Sequence, residues 1–124
     1  MLQLEKIIVC GAGTMGSGIA LVCAKAGYTT LLYDVSDQMI AKSQAQNNSQ
    51  LEKWVLKNTL SAEAAQAIAD RLQYSTAIEA CTGDLAIEAI IENPAAKMQL
   101  FQALLDQNPG GILLASNTSS LSIN

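Results

Sequence analysis

Ile7, Ile8, Val9 and Cys10 form an unbroken apolar run with polar residues before it and glycines after it. A run of that length predicts a strand buried on both faces. Past the glycines the apolar spacing becomes helical, with Ile19, Val22, Cys23 and Ala26 on one face, and Gly27 stands where such a helix should stop. Thr29 to Tyr33 is β-branched, apolar and aromatic and predicts a second strand, ending at Asp34. Ser36 offers a hydroxyl to cap the next helix, expected to run to about Lys57. Its middle, 42–50, is very polar and includes Asn47 and Asn48, weak helix formers. Its later part puts Leu51, Trp54 and Val55 on one face. Ser61 then caps a shorter helix carrying Ala65, Ile68, Ala69 and Leu72 at helical spacing. Together these segments predict a helical hairpin over about 37–72, projecting from the core. Residues 72–76 predict a third strand and 84–91 a fourth, broken by Glu92-Asn93-Pro94. Pro94 suits a helix start, and Met98, Phe101, Leu104 and Leu105 continue at helical spacing. Asn108-Pro109-Gly110-Gly111 is a turn cluster, and 112–115 predict a fifth strand. Strands alternating with helices predict an α/β fold: one open parallel sheet of about five strands with right-handed crossovers and a helical hairpin insertion.

The glycines after the first strand change this from a fold into a chemistry. Gly11-x-Gly13-x-x-Gly16 follows a strand and opens a helix, the setting of a Rossmann-type dinucleotide loop. Gly11 would make the tight turn, Gly13 would let the backbone approach a pyrophosphate, and Gly16 would let the helix pack closely. The helix start, at Thr14 and Met15, offers amide N–H groups and a positive dipole end to phosphates. Such a motif alone also fits a glycine-rich turn with no ligand. Here Asp34 follows 18 residues past Gly16, at the end of the next strand, where a carboxylate accepts from ribose hydroxyls. Asp37 adds negative charge and no arginine follows closely, so NAD is favoured over a 2′-phosphorylated dinucleotide.

Further candidates lie along the carboxyl edge of the predicted sheet, where ligands of such sheets bind. Glu88 falls inside an apolar strand, where a charge needs a partner, and reads foremost as a structural hydrogen-bonding group. Glu92 stands at that strand's end and faces the site. Lys97 follows in the next helix, either as a solvated lysine or as a ligand contact. The fifth strand delivers Ser116-Asn117-Thr118-Ser119-Ser120 to the same edge. These small polar groups suit either a cofactor ring or a helix cap.

Composition narrows the partners. Half of the residues are apolar, and the formal net charge is −4 with no cluster of lysine or arginine. That argues against nucleic acid. No apolar run approaches the ~18 residues of a membrane span, and the N-terminal residues lack a signal-peptide pattern. Three scattered cysteines, Cys10, Cys23 and Cys81, form no metal-ligand pair. They read as reduced thiols in a reducing, cytoplasmic setting. The sequence contains no histidine, so neither a histidine base nor a histidine metal site is available within it.

Four segments taken together resemble the 3-hydroxyacyl-CoA dehydrogenase family. They are Gly11-Ala12-Gly13-Thr14-Met15-Gly16-Ser17-Gly18-Ile19-Ala20, Leu32-Tyr33-Asp34, Ile87-Glu88-Ala89-Ile90-Ile91-Glu92-Asn93, and Ala115-Ser116-Asn117-Thr118-Ser119-Ser120-Leu121. The first would suit other dehydrogenases, including the 6-phosphogluconate type. The last, following the Ile-Glu-Ala segment, is more specific.

The resemblance implies an N-terminal NAD-binding domain over 1–124. In it Gly11, Gly13, Thr14, Met15 and Gly16 would hold the pyrophosphate and Asp34 the adenosine ribose. Glu92, Lys97, Asn117 and Ser119 would contact NAD. Ser119 would also orient substrate, and Lys57 would touch the CoA portion. Gln50 stands where some relatives carry a CoA-contacting serine, and Pro94 where many carry leucine.

The family oxidises the 3-hydroxyl of an acyl-CoA, with a histidine removing the proton. That histidine lies in a His-Phe-x-Asn-Pro segment beyond the serine-rich motif, and a helical C-terminal domain follows that commonly forms a homodimer. The resemblance therefore implies that this chain is a fragment that binds NAD without a complete catalytic set and is by itself inactive. A non-catalytic, crystallin-like member of the same family is the alternative expectation.

Overall fold

The computed structural model describes residues 4–90 and 93–116. The apolar run becomes β1 (Lys6–Cys10), the central strand, flanked by β2 (Thr29–Tyr33) and β4 (Leu85–Glu88). β3 (Leu72–Ser75) lies outside β2, and β5 (Leu113–Ser116) outside β4. All four pairings are parallel, giving one five-stranded sheet in the order β3-β2-β1-β4-β5. The expected α/β architecture is thus observed. Parallel strands need crossovers, and both faces are covered accordingly. On one face Ile7, Val9 and Leu32 meet Ala20, Leu21 and Ala24 of α1 (Thr14–Lys25). On the other, Ile8, Cys10, Leu31 and Ala86 meet Leu104 of α4 (Pro94–Gln107) and Cys81. The sheet order reverses between β1 and β4, so the ligand crevice of such a fold opens at their carboxyl ends.

α2 (Asp37–Leu56) and α3 (Ala62–Arg71) form the hairpin. Ser36 caps the first by accepting from the Met39 amide, and Ser61 caps the second by accepting from the Ala64 amide. The inner faces of the hairpin, through Leu51, Ala65 and Ile68, join the core beside α1. The polar middle of α2 is not all solvated. Ser43 and Asn47 are buried, and Asn47 donates to the Tyr74 hydroxyl at 3.3 Å. Arg71 donates to the Ala24 carbonyl at 2.7 Å and Lys25 lies over the Trp54 ring, fastening the hairpin to the far end of α1. Gly27 follows that end at φ 109, the left-handed stop expected of it.

Element ends differ from the expectation for local reasons. β3 stops at Ser75, whose hydroxyl accepts from the Ala77 amide and turns the chain. A 3₁₀ turn at Ile78–Ala80 follows, which no periodicity announced. β4 stops at Glu88 instead of reaching 91, because the Glu88 carboxylate takes the Ile90 amide at 2.7 Å. β5 begins one residue later than expected, at Leu113. Within the turn cluster, Asn108 is buried and saturated. Its amide donates to the Cys81 and Leu104 carbonyls at 2.9 and 2.7 Å and its oxygen accepts from Gly83 at 3.0 Å. Replacing it strands three backbone groups, so Asn108→Ala is expected to lose about 2–3 kcal/mol. Urea unfolding measures this, and a loss below about 0.5 kcal/mol, the level of a surface change, would contradict it.

Candidate functional site

At the carboxyl ends of β1, β2 and β4 lies a crevice of about 900 Å³, lined among others by Gly11, Gly13, Asp34, Val35, Ile90 and Leu100. Three features of the sequence create it. The chain leaves β1 through Gly11 at φ 111, a conformation that favours glycine, and its amide donates to the Tyr33 carbonyl at 2.8 Å. A Cβ there would press on the Ala89 carbonyl oxygen at 2.7 Å. Gly16, in the first turn of α1, sits against the loop itself: its Cβ would overlap the Gly11 carbonyl oxygen. The glycine spacing predicts that Gly16 lets the helix pack closely. The structure sharpens this to packing of the helix on the loop it leaves. Gly13 differs from both, since nothing lies within 4 Å of where its Cβ would be. Its open side is what a pyrophosphate approaching the backbone requires.

Asp34 organises this loop as well as facing the crevice. One carboxylate oxygen accepts from the Ala12 amide at 2.8 Å and the other from the Ser36 amide at 2.9 Å. Each carboxylate oxygen has capacity for a second hydrogen bond, so ribose hydroxyls can still be accepted. The glycine loop, the start of α1 and this carboxylate fit a dinucleotide.

Thr14 and Met15 stand exposed in the first turn of α1, beside the loop and not among the crevice-lining residues. Lys97 is not a solvated helix lysine. It is 2% exposed, and its ammonium lies 3.3 Å from Glu88. Glu88 is equally buried, and it also accepts from the Ser116 hydroxyl at 2.8 Å. The expectation that a charge inside this strand needs a partner is met by that pair. It ties β4, β5 and α4 together at the edge of the crevice. Lys57 is exposed at the far end of α2. A helix of 20 residues is about 30 Å long at 1.5 Å per residue, so Lys57 is not brought to the crevice. Glu92, Asn117 and Ser119 lie outside the described residues.

The thiols are chemically quiet. Burial pushes the Cys10 thiol, at the crevice floor, far above its ordinary range, and it pushes Cys81 up to about 11. Neither is a thiolate nucleophile near neutral pH. Among the described residues no group of histidine, cysteine and carboxylate side chains is placed to hold a metal, and no helix is long and apolar enough to cross a membrane. The sequence reading missed the Ala12 amide as an Asp34 partner. It also missed Ile78 of the 3₁₀ turn as a crevice wall. Neither carries a local signal.

Residues 6–124 match the family model described as 3-hydroxyacyl-CoA dehydrogenase, NAD binding domain. A probable 3-hydroxybutyryl-CoA dehydrogenase of Bacillus subtilis is 37% identical over 98% of this chain and 43% of its own length. The 3-hydroxyadipyl-CoA dehydrogenase of Escherichia coli is 38% identical over 99% of this chain and 26% of its own. This chain therefore spans less than half the length of these relatives. A crystal structure of 3-hydroxybutyryl-CoA dehydrogenase from Escherichia coli K12 superposes with a TM-score of 0.93, at 38% identity, over 98% of this chain and 26% of that one. The match covers nearly the whole chain, and the chain belongs to the family of 3-hydroxyacyl-CoA dehydrogenase NAD-binding domains, with NAD as its cofactor.

Proposed function

We propose that this chain is the cofactor-binding part of an NAD-dependent enzyme that oxidises (S)-3-hydroxyacyl-CoA to 3-oxoacyl-CoA in acyl-CoA metabolism. The observation that carries the reading is the joining of the Gly13 open face and the Asp34 carboxylate in one crevice. When bound, NAD supplies the hydride acceptor. The chain's own work is to hold and orient it. The amides at the start of α1 take the pyrophosphate, and Asp34 takes the adenosine ribose. Glu92 and Lys97 contact NAD, and Asn117 lines the nicotinamide region, where Ser119 orients both ring and substrate. Lys57 steadies the CoA portion at the distant end of the hairpin. Removal of the hydroxyl proton is not assigned to this chain, because its 124 residues hold no histidine. The family resemblance supports a homodimer formed through a helical C-terminal domain. The unpaired thiols support a cytoplasmic, reducing location.

Titrating NADH fluorescence into the chain tests this. Saturable binding is expected, and Asp34→Ala should weaken it about 10- to 100-fold, since it removes charge-assisted hydrogen bonds. A folded chain that leaves NADH fluorescence unchanged would sink the proposal.

A further inference from the structure

We infer that Ser43, on the hairpin helix α2, is a positioning residue for the pyrophosphate-binding loop, acting through Ser17. The inference rests on the NAD reading of the crevice. The Gly13 carbonyl is held twice by one residue: the Ser17 amide donates to it at 2.9 Å and the Ser17 hydroxyl at 2.7 Å. The Ser17 hydroxyl also stands 3.5 Å from the Ala12 carbonyl; both carbonyls only accept, and the much shorter Gly13 contact takes the single hydroxyl proton. The Ser43 hydroxyl lies 2.6 Å from the Ser17 oxygen, so Ser43 is the donor of that bond. Both serines are essentially sealed from solvent, at 0% and 1% exposure. The result is a directed chain: Ser43 to Ser17 to the Gly13 carbonyl. Polarisation along such a chain strengthens its last bond.

What this fixes is the plane of one peptide. The bond between Gly13 and Thr14 is trans, so the Gly13 carbonyl and the Thr14 N–H point in opposite directions within one rigid plane. Pinning the carbonyl toward the helix interior aims the Thr14 N–H outward, at the mouth where phosphate oxygens approach. Gly13 caps α1 without a side chain to hold it, so its orientation depends on these partners. The hairpin is thereby linked to cofactor geometry by hydrogen bonds, not by packing alone. Nothing in the spacing of apolar residues announces this, since Ser43 sits in the most polar stretch of α2.

A double-mutant comparison decides it. Affinities for NADH and ADP-ribose, which carry the pyrophosphate, and for adenosine, which does not, are measured on the unaltered chain, Ser17→Ala, Ser43→Ala and the double variant. Ser17→Ala should weaken both pyrophosphate ligands about tenfold and Ser43→Ala about fivefold, the range of a single neutral hydrogen bond. Adenosine affinity should stay within about twofold for all, and the double variant should be no weaker than Ser17→Ala, because Ser43 acts only through Ser17. NADH affinity unchanged in Ser43→Ala would overturn the relay. So would multiplicative losses in the double variant, or adenosine falling in parallel. Should Ser43→Ala unfold, Ser43→Cys is measured against the same expectations, its thiol filling the space while donating weakly. An unaltered, folded chain that binds neither NADH nor ADP-ribose would instead remove the cofactor reading itself, and the relay with it.

Discussion

Gly16→Ala is expected to destabilise the chain by about 3 kcal/mol or more, while Gly13→Ala leaves stability within about 1 kcal/mol and weakens NADH at least 30-fold. The two glycines stand three residues apart in one motif, yet the structure gives them opposite duties. A methyl group on Gly16 would overlap the Gly11 carbonyl oxygen, a backbone atom that cannot rotate aside. The helix must shift off its own loop, and overpacking against backbone belongs at the upper end of such costs. A domain stabilised by about 5–15 kcal/mol survives this with a lowered unfolding midpoint, or fails to fold if it lies near the bottom of that range.

At Gly13 the backbone has φ −74 and ψ −174, an extended conformation open to any residue. The added methyl meets nothing of the protein. Alanine is a slightly worse helix cap than glycine but stiffens the unfolded chain, and these effects offset. On the proposed NAD reading the methyl meets the pyrophosphate instead, so the loss appears in binding. Urea unfolding and NADH titration on both variants separate the cases. Full NADH affinity in Gly13→Ala would show that the pyrophosphate lies elsewhere. Unaltered stability in Gly16→Ala would contradict the contact between helix and loop.

The contrast also shows which parts of the molecule were legible in the sequence. The strand, the glycine spacing and the Asp34 offset are local patterns, and from them β1, α1 and β2 follow as observed. The caps at Ser36 and Ser61 were equally readable, because a cap bonds only a few residues ahead of itself. What escaped was long-range pairing of polar groups. Ser43 and Asn47 sit in a stretch that reads as a solvated surface, and they are buried because Ser17 and Tyr74 meet them from elsewhere in the chain. Periodicity registers apolar residues only, so a polar side chain turned inward looks like one turned outward. The end of β4 was misjudged for the same reason: a Glu88 side chain took the amide that would have extended the strand. Lys97 is the largest such case. Its spacing allows a solvated lysine, whereas the Glu88 carboxylate 3.3 Å away accompanies it in its burial.

That pair carries the second large expectation. Lys97→Met or Glu88→Gln alone should lower stability by about 3–5 kcal/mol, because each takes from a buried charge the opposite charge that stands 3.3 Å from it. Glu88 would keep the Ile90 amide and the Ser116 hydroxyl, but these neutral donors replace a cation only in part. The double variant removes both charges at once and should recover most of the loss, since a buried pair exchanged for uncharged groups of similar volume is often neutral. Binding should behave otherwise. If Lys97 contacts NAD as proposed, NADH affinity falls about tenfold in Lys97→Met and does not return in the double variant. A double-mutant cycle on urea unfolding, with NADH titration of each variant, tests both halves. Additive stability losses would mean that the two charges do not depend on each other. Recovery of NADH affinity together with stability would confine Lys97 to holding β4, β5 and α4 in place.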